Sequence, residues 1–180
     1  MDRKGINISV LSPPPPLFYY WADAETGASI ARLVNDGIAE LVSADVGRFH
    51  GMATVPLQDV EAAVVELERA VSTHGFQAVE VGTSVEGRQL ADAAFRPFLV
   101  RASELGVLVF THPYYVGAKQ GLEDYYLTNL LGNPYDSTVM IANLMFSGLL
   151  DELPQLKLCV AHGGGFAPYQ IGRLEQGHRV

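Results

Sequence analysis

Two histidines stand where a chain can do chemistry with them. In Val107-Leu108-Val109-Phe110-Thr111-His112-Pro113, a nearly continuous apolar run ends in an imidazole and then in a chain-turning residue. The stretch Leu156-Lys157-Leu158-Cys159-Val160-Ala161-His162-Gly163-Gly164-Gly165 repeats the design. A neutral imidazole binds transition metals, and its ordinary pKa of about 6.5 lets it carry a proton at neutral pH. One histidine at such a point is more often a hydrogen-bonded structural group; two in corresponding surroundings favour function. His50, His74 and His178 lack this setting and read as surface or structural residues. The glycine run after His162 has two readings. Backbone N–H groups at a helix amino end can hold a carboxylate or phosphate, or small residues let the chain pass close to the floor of a site. It lacks the spacing of a dinucleotide or Walker loop. Arg173 follows it and can pair bidentately with a carboxylate, although a lone arginine is most often a surface residue.

The elements that must position these residues read as alternating strands and helices. Apolar runs suited to parallel strands occur at 6–11, 49–55, 76–81, 107–112 and 156–161. In parallel α/β folds the working residues sit at the carboxyl ends of such strands, which is where both histidines fall. Between the strands, Ile30, Leu33, Val34, Ile38, Leu41 and Val42 form one helical stripe within 23–43. Val60, Ala63, Val64, Leu67, Ala70 and Val71 form a second, with Asp59 at its amino end and Gly75 as its stop. A third helix starts near Pro97 and ends at Gly106, a fourth covers 136–149, and a last one follows Gly165. The proline tract 13–16 is a stiff strand-to-helix loop, and the aromatics of 17–21 either wall a pocket or pack beneath it, packing being the expected role. The stretch 114–133 is irregular and rich in tyrosine, a length of loop that is often functional.

Composition sets the outer bounds. At 180 residues, 48 % of them apolar and 18 % charged, the chain is a globular single-domain candidate. A net charge of −8 argues against nucleic acid or an anionic membrane surface as partner. Cys159 has no intrachain disulfide partner and lies inside a strand, so it reads as a buried structural thiol in a reducing compartment. No apolar run reaches a membrane span and the start leads into no signal-peptide core, so a cytoplasmic protein is expected.

Three stretches together resemble the aminocarboxymuconate-semialdehyde decarboxylase branch of the amidohydrolase superfamily. They are Met52-Ala53-Thr54-Val55-Pro56-Leu57-Gln58-Asp59, Val109-Phe110-Thr111-His112-Pro113, and Ala161-His162-Gly163-Gly164-Gly165 with Gly172-Arg173-Leu174-Glu175. The opening 5–15 is similar to that group's second strand and loop. The resemblance implies an α/β TIM-type (β/α)8 barrel that uses a divalent metal, zinc or else manganese. It implies decarboxylation of a small unsaturated or aromatic carboxylic acid, and a homodimer in the full-length parent. On it, His112 is the metal ligand of the fifth strand, and His162, on the sixth, is the catalytic acid/base. Arg173 matches an arginine that binds the substrate carboxylate, in some members across the dimer interface. The family's His-x-His pair and its last-strand aspartate have no counterpart in these 180 residues. The chain thus reads as strands two to six of eight, one amidohydrolase-related domain over 1–180 truncated at both ends. Two other readings stand beside it: a metal-dependent hydrolase of an ester, lactone or amide, and an inactive or partner-binding remnant.

Overall fold

The computed structural model describes residues 1–114 and 120–178. In chain order these form β1 (Ser9–Leu11), α1 (Ala24–Ser43), β2 (Phe49–Ala53), α2 (Val60–His74), β3 (Ala78–Gly82), a hairpin of β4 (Ser84–Val85) and β5 (Arg88–Gln89), α3 (Arg96–Glu104), β6 (Leu108–His112), α4 (Asn133–Phe146), α5 (Leu149–Glu152), β7 (Lys157–Val160) and α6 (Ala167–His178). Five strands make one parallel sheet in the order β1-β2-β3-β6-β7. Its first and last members are therefore open edges.

Local chemistry sets the helix limits. The Asp23 carboxylate accepts from the Thr26 N–H at 2.9 Å and caps α1. Asp59 does the same for α2 through Ala62 at 3.0 Å, and Gly75 closes that helix at φ 70°. Pro97 occupies the first turn of α3, where a missing N–H costs nothing. The helical stretch expected over 136–149 starts earlier, at Asn133, and breaks at Ser147–Gly148. Of the tyrosine-rich stretch 114–133, residues 115–119 lie outside the described residues.

Strand register assigns each side chain to a face. Val79, Val109 and Leu158 are in line across the sheet, as are Val81, Thr111 and Val160. This face carries the core, packed with Ala63, Leu67 and Ala70 of α2, Phe98, Leu99 and Ala102 of α3, and Met140 and Leu144 of α4. The opposite face carries Val10, Met52, Phe110 and Cys159, and no helix layer buries it.

Several expectations are corrected by that asymmetry. Cys159 is exposed, because it sits on the uncovered face of an edge strand. Val10 is exposed for the same reason at the other edge, and Ile6 and Ile8 are exposed because β1 is shorter than the apolar run and they precede it. On α1, Leu33 and Leu41 point to solvent at 73 % and 59 % exposure. The buried positions are Gly27, Ala31, Asn35 and Ile38; Gly27 and Ala31 let α1 approach its neighbours closely, and Ile38 joins the core. Tyr169 and Ile171 of α6 are exposed too.

Candidate active site at the carboxyl end of the sheet

His112 is the last residue of β6, stopped by Pro113, which has no N–H to extend the ladder. One residue past β7, the Ala161 N–H donates to the Thr111 carbonyl at 3.0 Å. That extra rung carries the next residue, His162, to the same rim. The two imidazole centroids are 4.8 Å apart with their planes at 64°.

The ring nitrogens are not equivalent. His112 Nδ1 lies 2.9 Å from the Pro113 carbonyl oxygen, which can only accept. Nδ1 therefore carries the proton, and Nε2 keeps a lone pair for a metal, the pattern typical of ligating histidines. His162 Nδ1 faces Ser137 Oγ at a long 3.5 Å, while that hydroxyl donates to the Asn133 carbonyl at 3.2 Å. Partial burial, and then the neighbouring His112, hold the His162 imidazole below its ordinary value. It is thus a neutral base at neutral pH. His162 also takes φ 57°, a left-handed conformation unusual outside glycine.

The three glycines that follow continue in positive φ. Their turn is not an anion cradle: the Gly164, Gly165 and Phe166 N–H groups donate to Ala161 O, His162 O and Thr138 Oγ1 at 3.1, 2.9 and 2.7 Å. A Cβ on Gly165 would collide with the Pro134 carbonyl and Thr138 Oγ1, so close passage past the start of α4 is what demands small residues. Arg173 is exposed on α6, and among the described residues it has no hydrogen bond or ion pair. The structure brings His112 and His162 together, and among the described residues Arg173 makes no contact with either. The other three histidines fit their expected settings. His50 is exposed, His74 Nε2 meets Asp36 at 2.8 Å, and the His178 ring stacks on Phe146.

Two residues near the pair escape a reading of apolar patterns. Ser137 occupies the buried stripe Ser137-Met140-Leu144 of α4, a polar break in an apolar row that was the available signal. Glu80 of β3 is in register with Phe110, on the His112 face of the sheet. It is 2 % exposed, its Oε2 has no hydrogen-bond partner among the described residues, and burial pushes its carboxyl up while Ser12 draws it back. A cavity of about 440 Å³ is bounded by Phe18, Tyr20, Gly82, Tyr114 and Asp136 and rimmed by Glu86 and Gly87 of the hairpin turn; neither histidine lines it. Phe18 and Tyr20, from the aromatics that could wall a pocket or simply pack, line the cavity.

The imidazole pair fits a divalent metal to the extent of one prepared donor, His112 Nε2. Catalytic zinc sites use three protein ligands, and no group of three His, Cys, Asp or Glu suited to a metal is found among the described residues.

Comparison with known proteins agrees with this geometry. The amidohydrolase family pattern matches residues 10–179. The 2-amino-3-carboxymuconate-6-semialdehyde decarboxylase of Dictyostelium discoideum is 36 % identical over 177 residues, covering 98 % of this chain and 49 % of that protein. The crystal structure of 5-carboxyvanillate decarboxylase from Sphingomonas paucimobilis superposes with a TM-score of 0.91 at 28 % identity, over 99 % of this chain and 54 % of that one. A dihydroxybenzoic acid decarboxylase from Polaromonas, solved with manganese and the inhibitor 2-nitroresorcinol, has a TM-score of 0.84 at 32 % identity, over 96 % and 55 %. The chain spans about half the length of the curated relatives it matches. The neighbours are TIM-barrel decarboxylases. With a family match over most of its length and a parallel half-sheet ending in paired histidines, this chain belongs to the amidohydrolase family and folds as an incomplete TIM-type barrel.

Proposed function

We propose that the protein takes part in metal-assisted, non-hydrolytic decarboxylation of a small aromatic or unsaturated carboxylic acid. One observation carries the reading: two imidazoles meet at one strand-end rim, one with Nε2 free for a metal and the other neutral and able to move a proton. His112 would hold the metal through Nε2. A zinc or manganese ion bound there would supply Lewis acidity toward the substrate. His162, neutral at rest, takes a proton from solvent at Nε2 and then holds it as the imidazolium above the reacting carbon. The bond between the ring carbon and the carboxyl carbon breaks, carbon dioxide leaves, and the electron pair left on carbon takes that proton. Arg173 is assigned to the substrate carboxylate. Its exposure suits an arginine that serves a neighbouring subunit, and a homodimer is part of the reading. The exposed Tyr125, Tyr126, Tyr169 and Ile171 offer apolar surface for that contact. The protein is taken as cytoplasmic; among the described residues no helix is long and apolar enough to cross a membrane.

The test measures carbon dioxide release from hydroxybenzoates by the manganese- or zinc-loaded chain, alongside its metal content. His162→Ala should lower turnover by roughly 10²- to 10⁴-fold with metal retained, and His112→Ala should lower metal occupancy. Unchanged turnover in the first variant, or unchanged occupancy in the second, contradicts the assigned roles.

A further inference from the structure

Aromatic rings and carboxylates share one cavity that the decarboxylation scheme does not use. Phe18 and Tyr20 stack at 5.4 Å and 17°, and Tyr114 stands edge-on to Phe18 at 6.4 Å and 87°. Walls in two perpendicular orientations thus bound a space of about 440 Å³, a volume in the range of small-molecule sites. Glu86 and Asp136 line the same space, and among the described residues no lysine, arginine or histidine does.

The loop carrying Phe18 and Tyr20 is tied down. The Tyr20 hydroxyl accepts from the Gly82 N–H at 3.1 Å, and the Gln58 side-chain amide donates to the Tyr19 and Ala22 carbonyls at 3.3 Å each. Asp136 has an ordinary reason for its place, because an acid in the first turn of α4 answers the helix dipole. Glu86 has no such reason. With Gly87 it makes the two-residue turn between β4 and β5, at φ 48°, where Asn, Asp or Gly is the usual residue. Arg88, two residues on, is committed elsewhere: it pairs with Asp92 at 2.7 Å and lies over the Phe95 ring at 5.1 Å. The hairpin therefore holds a carboxylate at the cavity rim in a strained backbone position and keeps its own arginine away from it.

Ring faces and carboxylates both attract a cation, and the rings decide which kind. A hard divalent ion needs six or more oxygen ligands, and no group of three His, Cys, Asp or Glu suited to a metal is found among the described residues. An ammonium carrying alkyl groups buries apolar surface against the rings while its charge meets their faces and the carboxylates. We infer that this cavity binds a small substituted-ammonium cation, with Phe18, Tyr20 and Tyr114 as its walls and Glu86 and Asp136 as its counter-charge. The inference does not rest on the decarboxylase reading, whose ligand carries the opposite charge.

The experiment is calorimetric titration of the whole chain with choline and with 3,3-dimethylbutan-1-ol, its uncharged isostere, at matched ionic strength. Choline should bind about tenfold or more tightly, in the range of a desolvated cation–π contact. Added salt should weaken choline and leave the alcohol unchanged. Glu86→Gln, at an exposed position, should weaken choline by about two- to fivefold, the worth of an exposed ion pair, and spare the alcohol. Tyr114→Leu keeps an apolar wall without the ring and should lower the ratio of the two affinities; should it not fold, Glu86→Gln and the wild-type pair of ligands decide the matter. Equal binding of choline and the alcohol, no binding of choline, or a ratio unchanged in both variants overturns the inference. Displacement of choline by calcium or by benzoate overturns it as well, since the cavity would then take a hard ion or an acid. Tighter binding of N-acetyl-trimethyllysine amide than of choline would assign the site to a protein side chain and overturn the small-ligand assignment. Carbon dioxide release by a chain that binds no choline overturns this inference alone, and choline binding without carbon dioxide release leaves it standing.

Discussion

At the scale of single residues, protons and lone pairs matter more than position. The Pro113 carbonyl fixes which nitrogen of His112 is free, and a residue that could donate there would reverse the assignment. Glu80 shows the same principle in a group no motif flagged. Its folded-state value is raised, first by burial, so the protein favours the protonated acid. Its contribution to stability is then fullest below the ordinary carboxylate range of about 4 and is lost as pH rises through the raised value. Glu80→Gln cannot ionise. Its Tm relative to wild type should therefore climb from acid to alkaline pH, and a difference independent of pH would contradict a buried neutral acid. The paired histidines were legible in the sequence because a polar residue ending an apolar run is a local signal. Glu80, Ser137 and Tyr20 were not, because each sits inside a pattern that reads as packing, and only the third dimension shows what faces it.

At the scale of elements, a cap and a stop were legible for the same local reason: Asp59 and Gly75 act on neighbours within one turn. The buried side of α1 was legible only in part. Of the apolar stripe, Ile38 is buried and Val34 and Val42 pack on the core, but Leu33 and Leu41 face solvent, while Gly27, Ala31 and Asn35, which apolar content does not single out, are buried. Asn35 is the knot of the contact of α1 with β2 and α2. Its amide donates to the Thr54 carbonyl at 2.9 Å and to Glu66 at 2.7 Å, and its carbonyl accepts from the Thr54 N–H at 2.8 Å. Arg69 bonds the same Glu66 and reaches Asp36. Asn35→Ala strands buried groups on both neighbours and should cost about 1–3 kcal/mol, visible as a lowered denaturant midpoint. A loss within ~0.5 kcal/mol, the scatter of neutral surface changes, would show that the amide is not holding α1, β2 and α2 together.

At the scale of the whole molecule, parallel order was legible from strand–helix alternation, while exposure was not. Sequence gives a strand its apolar content but not its neighbours, so Cys159 read as core and lies on the open face of an edge. The same face presents Val10, Met52 and Phe110 as half-covered apolar surface. Cys159 in the native chain should react with a maleimide about as fast as in urea, and strong native protection would mean that this face is covered. Exposed apolar edges also favour self-association, so sedimentation velocity should show a concentration-dependent increase in mass despite the net charge of −8. A chain that stays monomeric at high concentration would contradict that.

The central claim is that His112 and His162 form one metal-competent rim. The most direct test is titration of the chain with substoichiometric manganese(II), followed through the histidine ring resonances by NMR. The account predicts early paramagnetic broadening of His112 and His162, with His50, His74 and His178 spared, and loss of that effect in His112→Ala. Broadening that spares His112, or that falls equally on all the histidines, would contradict it.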